Sequence, residues 1–251
     1  MTNCAANPML ILCVCMFLVG CRAKPAPDAG FLEDPKLMTA SNDVPFNRAW
    51  ANPKYREKRY VEIYVAPVNT GHVMAQNVWE KATLASVSHK DVEKNVQMLA
   101  DYLRNAFVTA AQRDPTNAYR VVDHPGPDTL ILEMAIVQLA PSKSELQAAS
   151  YVTWIPSAVM MGASAVTRSE DQGKGVIAIE ARTRDGATGE ITGMFADREH
   201  PPAAIVDLKS LFWWESAKPI CDGWARQFMA MQTSPKGKKI DKIPNFKLLV
   251  W

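Results

Sequence analysis

One apolar run, residues 129–139, constrains the fold of this chain more than any other feature. The segment reads TLILEMAIVQL, and its apolar side chains hardly alternate with polar ones. In a strand with one solvent-exposed face, apolar and polar side chains alternate with a period of two. A continuously apolar strand is usually covered on both faces. We therefore expect this segment to be a strand near the centre of a sheet.

Other strands are predicted from local patterns. Residues 60–66 alternate apolar and polar side chains, and residues 119–123 form a shorter β-like stretch. Residues 175–183 and 190–196 are joined by the sequence RDGATG, whose glycines suit the positive φ angles of a hairpin turn. The sequence therefore predicts a β-hairpin in the second half of the chain.

Two helices are predicted from apolar residues at spacings of three and four. The first starts at the N-cap Ser88 and ends before Asp114-Pro115, and the second has Ser216 and Pro219 as start signals. The apolar positions are Val92, Val96, Leu99, Leu103, Phe107 and Ala110 in the first helix and Ile220, Trp224, Phe228 and Met231 in the second. Together, the elements predict an α/β (α+β) domain over residues 31–235, with a mixed sheet of about five strands under helices in a two-layer sandwich.

The N-terminus has the pattern of a targeting segment. Residues 1–20 contain no Lys, Arg, Asp or Glu, and residues 9–19 are uninterruptedly apolar. This run has the length of a signal-peptide core but falls short of the roughly 20 residues that span a bilayer. We interpret residues 1–20 as a signal peptide that is removed.

The end of this segment, Leu18-Val19-Gly20-Cys21, resembles the lipobox of bacterial lipoproteins. The resemblance implies cleavage between Gly20 and Cys21, and a Cys21 thiol that accepts a diacylglycerol with palmitate-type chains. Residues 21–30, rich in Pro and Ala, would then be a tether, and Arg22 in place of Asp implies the outer membrane. The alternative is an ordinary secretory signal in which Cys21 is incidental.

Several short motifs follow this sequence, one after another along the chain. They are 29–34 (AGFLED), 125–130 (PGPDTL), 180–185 (EARTRD), 188–190 (TGE) and 207–210 (DLKS) before Trp224-Ala225. In this order the chain resembles the bacterial lipoprotein family known as domain of unknown function 3313. The resemblance spans most of the mature chain and implies an envelope address, but it supplies no catalytic residues.

Metal and cofactor chemistry has little support in the sequence. His72, His89, His124 and His200 are scattered without the paired spacing of metal ligands, so we expect no metal site and no cofactor. Cys221 is the one thiol left after Cys21 is acylated, and its apolar helical surroundings indicate a core residue.

One enzymatic alternative remains open. Glu62, Glu133 and Glu180 each fall midway along a predicted strand, and facing carboxylates can share acid and base work. A lone Glu in a strand more often faces solvent or an edge. An envelope hydrolase is therefore kept as an alternative, beside a solute-binding accessory lipoprotein of a transporter.

Charge is almost balanced, with 28 basic and 26 acidic residues, so we expect no nucleic-acid partner. The exception is the basic tail, residues 236–251, which carries five lysines and either lies in solvent or contacts anionic lipid.

Residues 151–166 form a second unusual stretch, without any charge. The sequence is compatible with two predictions. In the first, part of the stretch is a helix that packs in the core. In the second, the stretch is an apolar patch that contacts an envelope protein or the membrane through Trp154, Met160, Met161 and Gly162. From the sequence alone we expect a lipid-anchored, periplasm-facing interaction or assembly component that is not an enzyme.

Overall fold

A mixed sheet forms the centre of the domain. The computed structural model describes residues 25, 28–74, 89–140, 175–201, 215–235 and 238–242. Within these ranges the sheet has six strands in the order β1-β6-β5-β4-β2-β3. The strands are β1 (Arg48–Ala51), β2 (Glu62–Val65), β3 (Arg120–Val121), β4 (Thr129–Ala140), β5 (Val176–Asp185) and β6 (Ile191–Glu199).

The helices of the described ranges are α1 (Gly71–Met74), α2 (His89–Gln112) and α3 (Lys218–Thr233), with single 3-10 turns at Pro35–Leu37, Pro53–Tyr55 and Glu215–Ala217. No helix in the described part of the chain is both long enough and apolar enough to cross a membrane. The predicted N-cap Ser88 lies outside the described residues.

The sheet combines a parallel half and an antiparallel half. Strand β2 pairs in parallel with β3 and β4, and the chain crosses from β2 to β3 through α2. Strands β4, β5, β6 and β1 then pair antiparallel in turn. The predicted mixed α+β sheet is confirmed. Strand β1 was not predicted because its four residues show no apolar alternation.

Strand β4 lies inside the sheet, between β5 and β2, as the apolar run predicted. Leu132 and Met134 face the helices, whereas Ala135 and Val137 are buried on the opposite face. A bulge between Ile136 and Gln138 shifts the register with β5. Both faces of this strand are therefore covered.

Helices α2 and α3 cover one face of the sheet. Their predicted apolar positions from Val96 onward are buried, except that Ala110 and Met231 are only half-buried while Ala111 and Met229 are buried. The side chain of Val92 lies outside the described part of the chain. Phenylalanine rings connect the layers, with centroid distances of 5.6 Å between Phe107 and Phe228 and 5.7 Å between Phe228 and Phe195.

The predicted place of Cys221 in the core is also confirmed. The thiol is fully buried among the residues of α3 that pack on the sheet. Burial raises the pKa of Cys221, because a thiolate loses its hydration there. At neutral pH the side chain is a neutral, small apolar group.

The opposite face of the sheet, here called the outer face, is covered by an N-terminal strap, residues 28–39. Leu32 and Met38 of the strap are buried against Met194 and Ala196 of β6. A two-way backbone contact between Thr39 and Ala49 also places the end of the strap against edge strand β1. Ala29 and Phe31 of the strap pack against the cluster that contains Ala135 and Val137, and so the strap supplies the second cover that β4 requires.

The hairpin between β5 and β6 is confirmed, but its two glycines are required for different physical reasons. Gly189 has φ +72, as the turn requires. Gly186 does not have a positive φ; instead, a Cβ there would lie 2.0 Å from the carbonyl oxygen of Gly126. A glycine is therefore needed here because another backbone segment approaches too closely for a side chain. At the same place Gly186 N donates a 2.9 Å hydrogen bond to the Thr129 carbonyl oxygen.

Asp185 holds the same hairpin together. Its side chain is fully buried, and Oδ1 accepts hydrogen bonds from the backbone nitrogens of Ala187 and Thr188 at 3.1 and 2.8 Å. Oδ2 accepts from the Lys58 ammonium and from the Tyr60 hydroxyl at 2.9 Å. Burial by itself raises the pKa of Asp185, but the hydrogen bonds from Lys58 and Thr188 outweigh it and lower the pKa well below its usual range.

Asp185→Asn should destabilise the fold in a pH-dependent way. A lowered folded-state pKa contributes stability above the unfolded value of about 3.9 and loses it as the pH falls further. We expect a loss of about 2–3 kcal/mol at pH 7 from breaking charged hydrogen bonds. The difference from the wild type should shrink below about pH 4 in urea unfolding series. Asp128→Asn, at an exposed turn, is the control; a gap independent of pH would contradict the assignment.

Candidate functional site

Residues singled out from the sequence fall into two groups. Gly20, Cys21, Trp154, Met160, Met161 and Gly162 lie outside the described residues. Glu62, Glu133 and Glu180 lie in strands β2, β4 and β5 and have defined partners.

The densest group of charges is on the outer face, where Glu33, Glu133, Arg182 and Arg184 form what we call the outer-face cluster. The Glu133 carboxylate accepts hydrogen bonds from Arg182 Nε at 2.5 Å and from Arg184 Nε at 3.0 Å. Glu33 of the strap forms ion pairs with both arginines, with Arg182 Nη1 at 2.9 Å. Two carboxylates and two guanidinium groups thus neutralise one another.

Arg182 also fixes the strap directly. Its Nη1 donates to the Phe31 carbonyl oxygen at 2.9 Å, and its guanidinium lies 4.6 Å from the centre of the Phe31 ring. Beside it, Ala29 N donates to Glu180 Oε1 at 3.0 Å. The motifs at 29–34 and 180–185, about 150 residues apart in sequence, therefore meet in the structure.

The three strand glutamates share the outer face but not a common site. Cross-strand pairing places Glu62 beside Thr129, Glu133 beside Arg182 and Glu180 beside Ala135. Glu62 accepts from Thr129 Oγ1 at 2.8 Å and forms an ion pair with Arg120. Each carboxylate thus has partners of its own.

The ionisation of Glu62 and Glu133 does not favour a general acid at either residue. Hydrogen bonds from Thr129 and Arg120 lower the pKa of Glu62. Burial raises the pKa of Glu133, but the hydrogen bonds from Arg182 and Arg184 outweigh it, so the net pKa is also lowered. Both groups are ionised at neutral pH and cannot deliver a proton there.

Two buried polar atoms under the strap lack a hydrogen-bond partner among the described residues: Arg48 Nε and Glu180 Oε2. Arg48, Ala196 and Glu180 are opposite one another on β1, β6 and β5, so they share one row of the outer face. A cation and an anion therefore lie two strands apart, separated by the small Ala196.

A second buried carboxylate, Asp197, lies at the end of β6 on the helix side. It accepts from Asn47 N at 2.8 Å, from Trp224 Nε1 at 2.7 Å and from Lys242 Nζ at 3.2 Å. Lys242 also forms an ion pair with Glu199. Burial raises the pKa of Asp197 to about 6, since the dry surroundings disfavour its charge.

Metal ligation has no support in the described part of the chain, where no three His, Cys, Asp or Glu side chains are grouped to hold an ion. His72 lies edge-on to the Phe31 ring at 5.9 Å, and His200 Nδ1 is 2.8 Å from the Gly175 carbonyl oxygen. These contacts are structural.

Sequence reasoning missed the outer-face cluster and the Asp197 contacts. The pattern Arg182-Thr-Arg184 does place two arginines on one face of a strand, which is a readable sign of a paired charged surface. Nothing local shows that Glu33 is their partner.

Comparison with known proteins gives one family and several distant solved structures, of which two are described here. The family described as "Protein of unknown function (DUF3313)" matches residues 27–228. No curated protein matches the chain. The PelC dodecamer from Paraburkholderia phytofirmans has a TM-score of 0.39 and 6% identity, over 75% of this chain and 97% of that chain. A substituted PelC dodecamer from the same organism has a TM-score of 0.35 and 7% identity, with the same coverage of both chains.

Arg182→Gln should release the strap. The variant loses the Phe31 contacts and leaves two carboxylates facing one arginine, and we expect a loss of about 2–3 kcal/mol in urea unfolding. Limited trypsin digestion should then cut faster after the exposed Lys36 of the strap. The matched control is Arg120→Gln, whose 77% exposed side chain pairs with Glu62 and should cost less than about 1 kcal/mol. Equal effects of the two variants would show that the strap does not depend on Arg182.

Proposed function

We propose that this chain, which belongs to the DUF3313 family, is a lipid-anchored lipoprotein of the bacterial envelope, because its domain follows a sequence that resembles a lipobox. In this proposal the domain is a non-catalytic interaction or assembly component. The family is itself of unknown function, so the proposed role rests on the residues of this chain.

The observation that carries the proposal is the position of Cys21. It directly follows an apolar run and Gly20, and it lies seven residues before Asp28, the first residue of the strap. Acyl chains contribute about 0.8 kcal/mol per buried methylene, and two or more chains hold a protein stably on a bilayer. Acylated Cys21 would therefore place the domain beside the membrane.

Arg22 after the acylated cysteine supports the outer membrane as the location, with the domain on its periplasmic face. The balanced charge of the chain fits a protein that meets neither nucleic acid nor an acidic substrate.

The charged groups of the outer face support a structural rather than a catalytic role. Hydrogen bonds from Thr129 and Arg120 lower the pKa of Glu62, and those from Arg182 and Arg184 lower the pKa of Glu133. The Glu180 carboxylate accepts a backbone hydrogen bond from the strap. A hydrolase needs an acid and a base with separated pKa values on one substrate. The three strand glutamates offer no such pair.

Residues 151–166 are the proposed contact with an envelope protein. This sequence, YVTWIPSAVMMGASAV, combines Trp154, Met160 and Met161 with the small Gly162 and carries no charge. Aromatic and methionine side chains are enriched at protein interfaces, and charged ones are depleted at their centres.

Cys21→Ser should abolish acylation. Cells grown with labelled palmitate should lose the label on this protein, and the uncut precursor should accumulate, because the lipid-dependent cleavage needs the acylated thiol. Cys15→Ser, inside the apolar run, is the matched control and should keep both label and cleavage. Label that persists in the Cys21 variant would exclude the proposed anchor.

Met160→Asp tests the contact with a protein partner. Affinity capture from detergent-solubilised membranes should lose partners that the wild type retains, while the thermal unfolding midpoint stays unchanged, because an exposed site tolerates a charge. Met98→Asp, at a 38% exposed position on α2, is the control. Partners retained by the Met160 variant, or unfolding of that variant, would contradict a contact surface at this residue.

A further inference from the structure

Residues 238–242, here called the latch, are the part of the predicted basic tail that the structure describes. None of the five belongs to a helix or a strand. Ile240 N donates to the Asp43 carbonyl oxygen at 3.1 Å, and Lys242 Nζ lies 3.1 Å from Asp197 Oδ2 and pairs with Glu199. A segment without regular structure of its own depends on such contacts for its position.

Two carboxylates at the end of β6 share the Lys242 ammonium group. Asp197 and Glu199 are two positions apart in this strand, so their side chains project from the same face. The Asp197 side chain is fully buried, whereas those of Glu199 and Lys242 are 15% and 23% exposed. With both carboxylates ionised, one positive charge faces two negative ones. The buried Asp197 is the harder of the two to keep charged.

The other groups around Asp197 are uncharged. Asn47 N, just before β1, and Trp224 Nε1 of α3 donate to its carboxylate at 2.8 and 2.7 Å, and the residue opposite it on β5 is Ile179. Lys242 and Glu199 are therefore the charged groups that act on it. Burial raises the pKa of Asp197, Lys242 lowers it and Glu199 raises it, and the resulting pKa is about 6.

The direction of the pH effect follows from the contact with Lys242. The ammonium group favours the ionised carboxylate, so attachment of the latch favours release of a proton from Asp197. The coupling is reciprocal, and protonation of Asp197 weakens the attachment of Lys242 by the same factor. The latch is therefore held firmly above about pH 7 and loses a charged hydrogen bond as the pH falls through about 6.

We propose that the latch is a pH-sensitive attachment, which ionised Asp197 holds on the sheet through Lys242 and which loosens in mildly acidic solution. The sheet and the helices stay folded in this change, and only the attachment of residues 238–242 responds. This inference goes beyond the proposed lipid anchor and does not depend on it.

The test is an NMR titration of the mature chain, residues 21–251, with Cys21→Ser so that no acyl chain is attached. The Trp224 indole N–H reports the charge of its acceptor, Asp197, and its resonance should titrate with a midpoint near pH 6. Hydrogen exchange of the Ile240 amide, corrected for the intrinsic effect of pH, reports the latch. Between about pH 7.5 and pH 5 its protection should fall about tenfold, as expected for the loss of one charged hydrogen bond.

Two substitutions should shift the titration of Asp197 in opposite directions. Lys242→Met removes the charge that favours the carboxylate, so it should raise the midpoint and give Ile240 low protection at every pH. Glu199→Gln removes the competing negative charge, so it should lower the midpoint. Lys239→Met is the matched control in the same segment. The Lys239 side chain is 60% exposed and pairs with Asp241, so this variant should behave like the parent.

The amide of Ile136, which donates to the Asn69 carbonyl oxygen inside the domain, is the reference for global unfolding. Loss of Ile240 protection with Ile136 unchanged supports the latch. The inference is overturned if Ile240 keeps its protection while the indole titrates, if both amides lose protection at the same pH, or if Lys242→Met leaves the midpoint unchanged. Since this protein carries no acyl chain, such a result leaves the lipid anchor to the palmitate labelling.

Discussion

The structure depends on the burial of β4 and β5 on both faces. Ten residues of β5 pair with ten of the twelve residues of β4 across the middle of the sheet, and most of the side chains of both strands are buried. Each apolar side chain taken from water contributes about 25 cal/mol per Å² of buried surface, so neither face can remain open without a large loss. The helices α2 and α3 cover one face. The strap has to cover the other, because no helix of the described ranges packs there.

That cover explains the charged motifs. Apart from the 3-10 turn at Pro35–Leu37 and the backbone bridge at Thr39, the strap has no regular hydrogen-bonded structure, and apolar contact alone is not directional. Arg182 and Arg184 fix the position of the strap, since guanidinium groups bind carboxylates and carbonyl oxygens in defined geometry. Their pairing with Glu33 and Glu133 also keeps partly buried charges from being left alone, which would cost several kcal/mol. The motifs at 29–34 and 180–185 therefore act as one structural unit that closes the outer face.

Local patterns were enough for the elements with internal periodicity or a required turn: strand β4, helices α2 and α3 and the hairpin at Gly189. They failed where the partner is remote. Strand β1 is defined by pairing with β6, and the strap by residues about 150 positions away. The period of two predicted that Glu62, Glu133 and Glu180 lie in strands. It did not predict which face of the sheet each one occupies or which residues lie beside it. Gly186 was assigned to turn conformation, whereas its reason is the approach of the Gly126 carbonyl, which no local pattern contains.

The strap also determines how an anchored domain would be oriented. A domain of about 200 residues has a radius of gyration near 16 Å, so a tether of at most about 25 Å is no longer than the domain is wide. A tether that ended in a loose loop would let the domain turn freely. Residues 21–27 would instead join a strap that is held by Arg48, Glu180 and Arg182 along the sheet. An anchor at Cys21 would therefore keep the end of the sheet near Arg48 within about 25 Å of the bilayer, with the hairpin at Gly189 at the opposite end of the sheet.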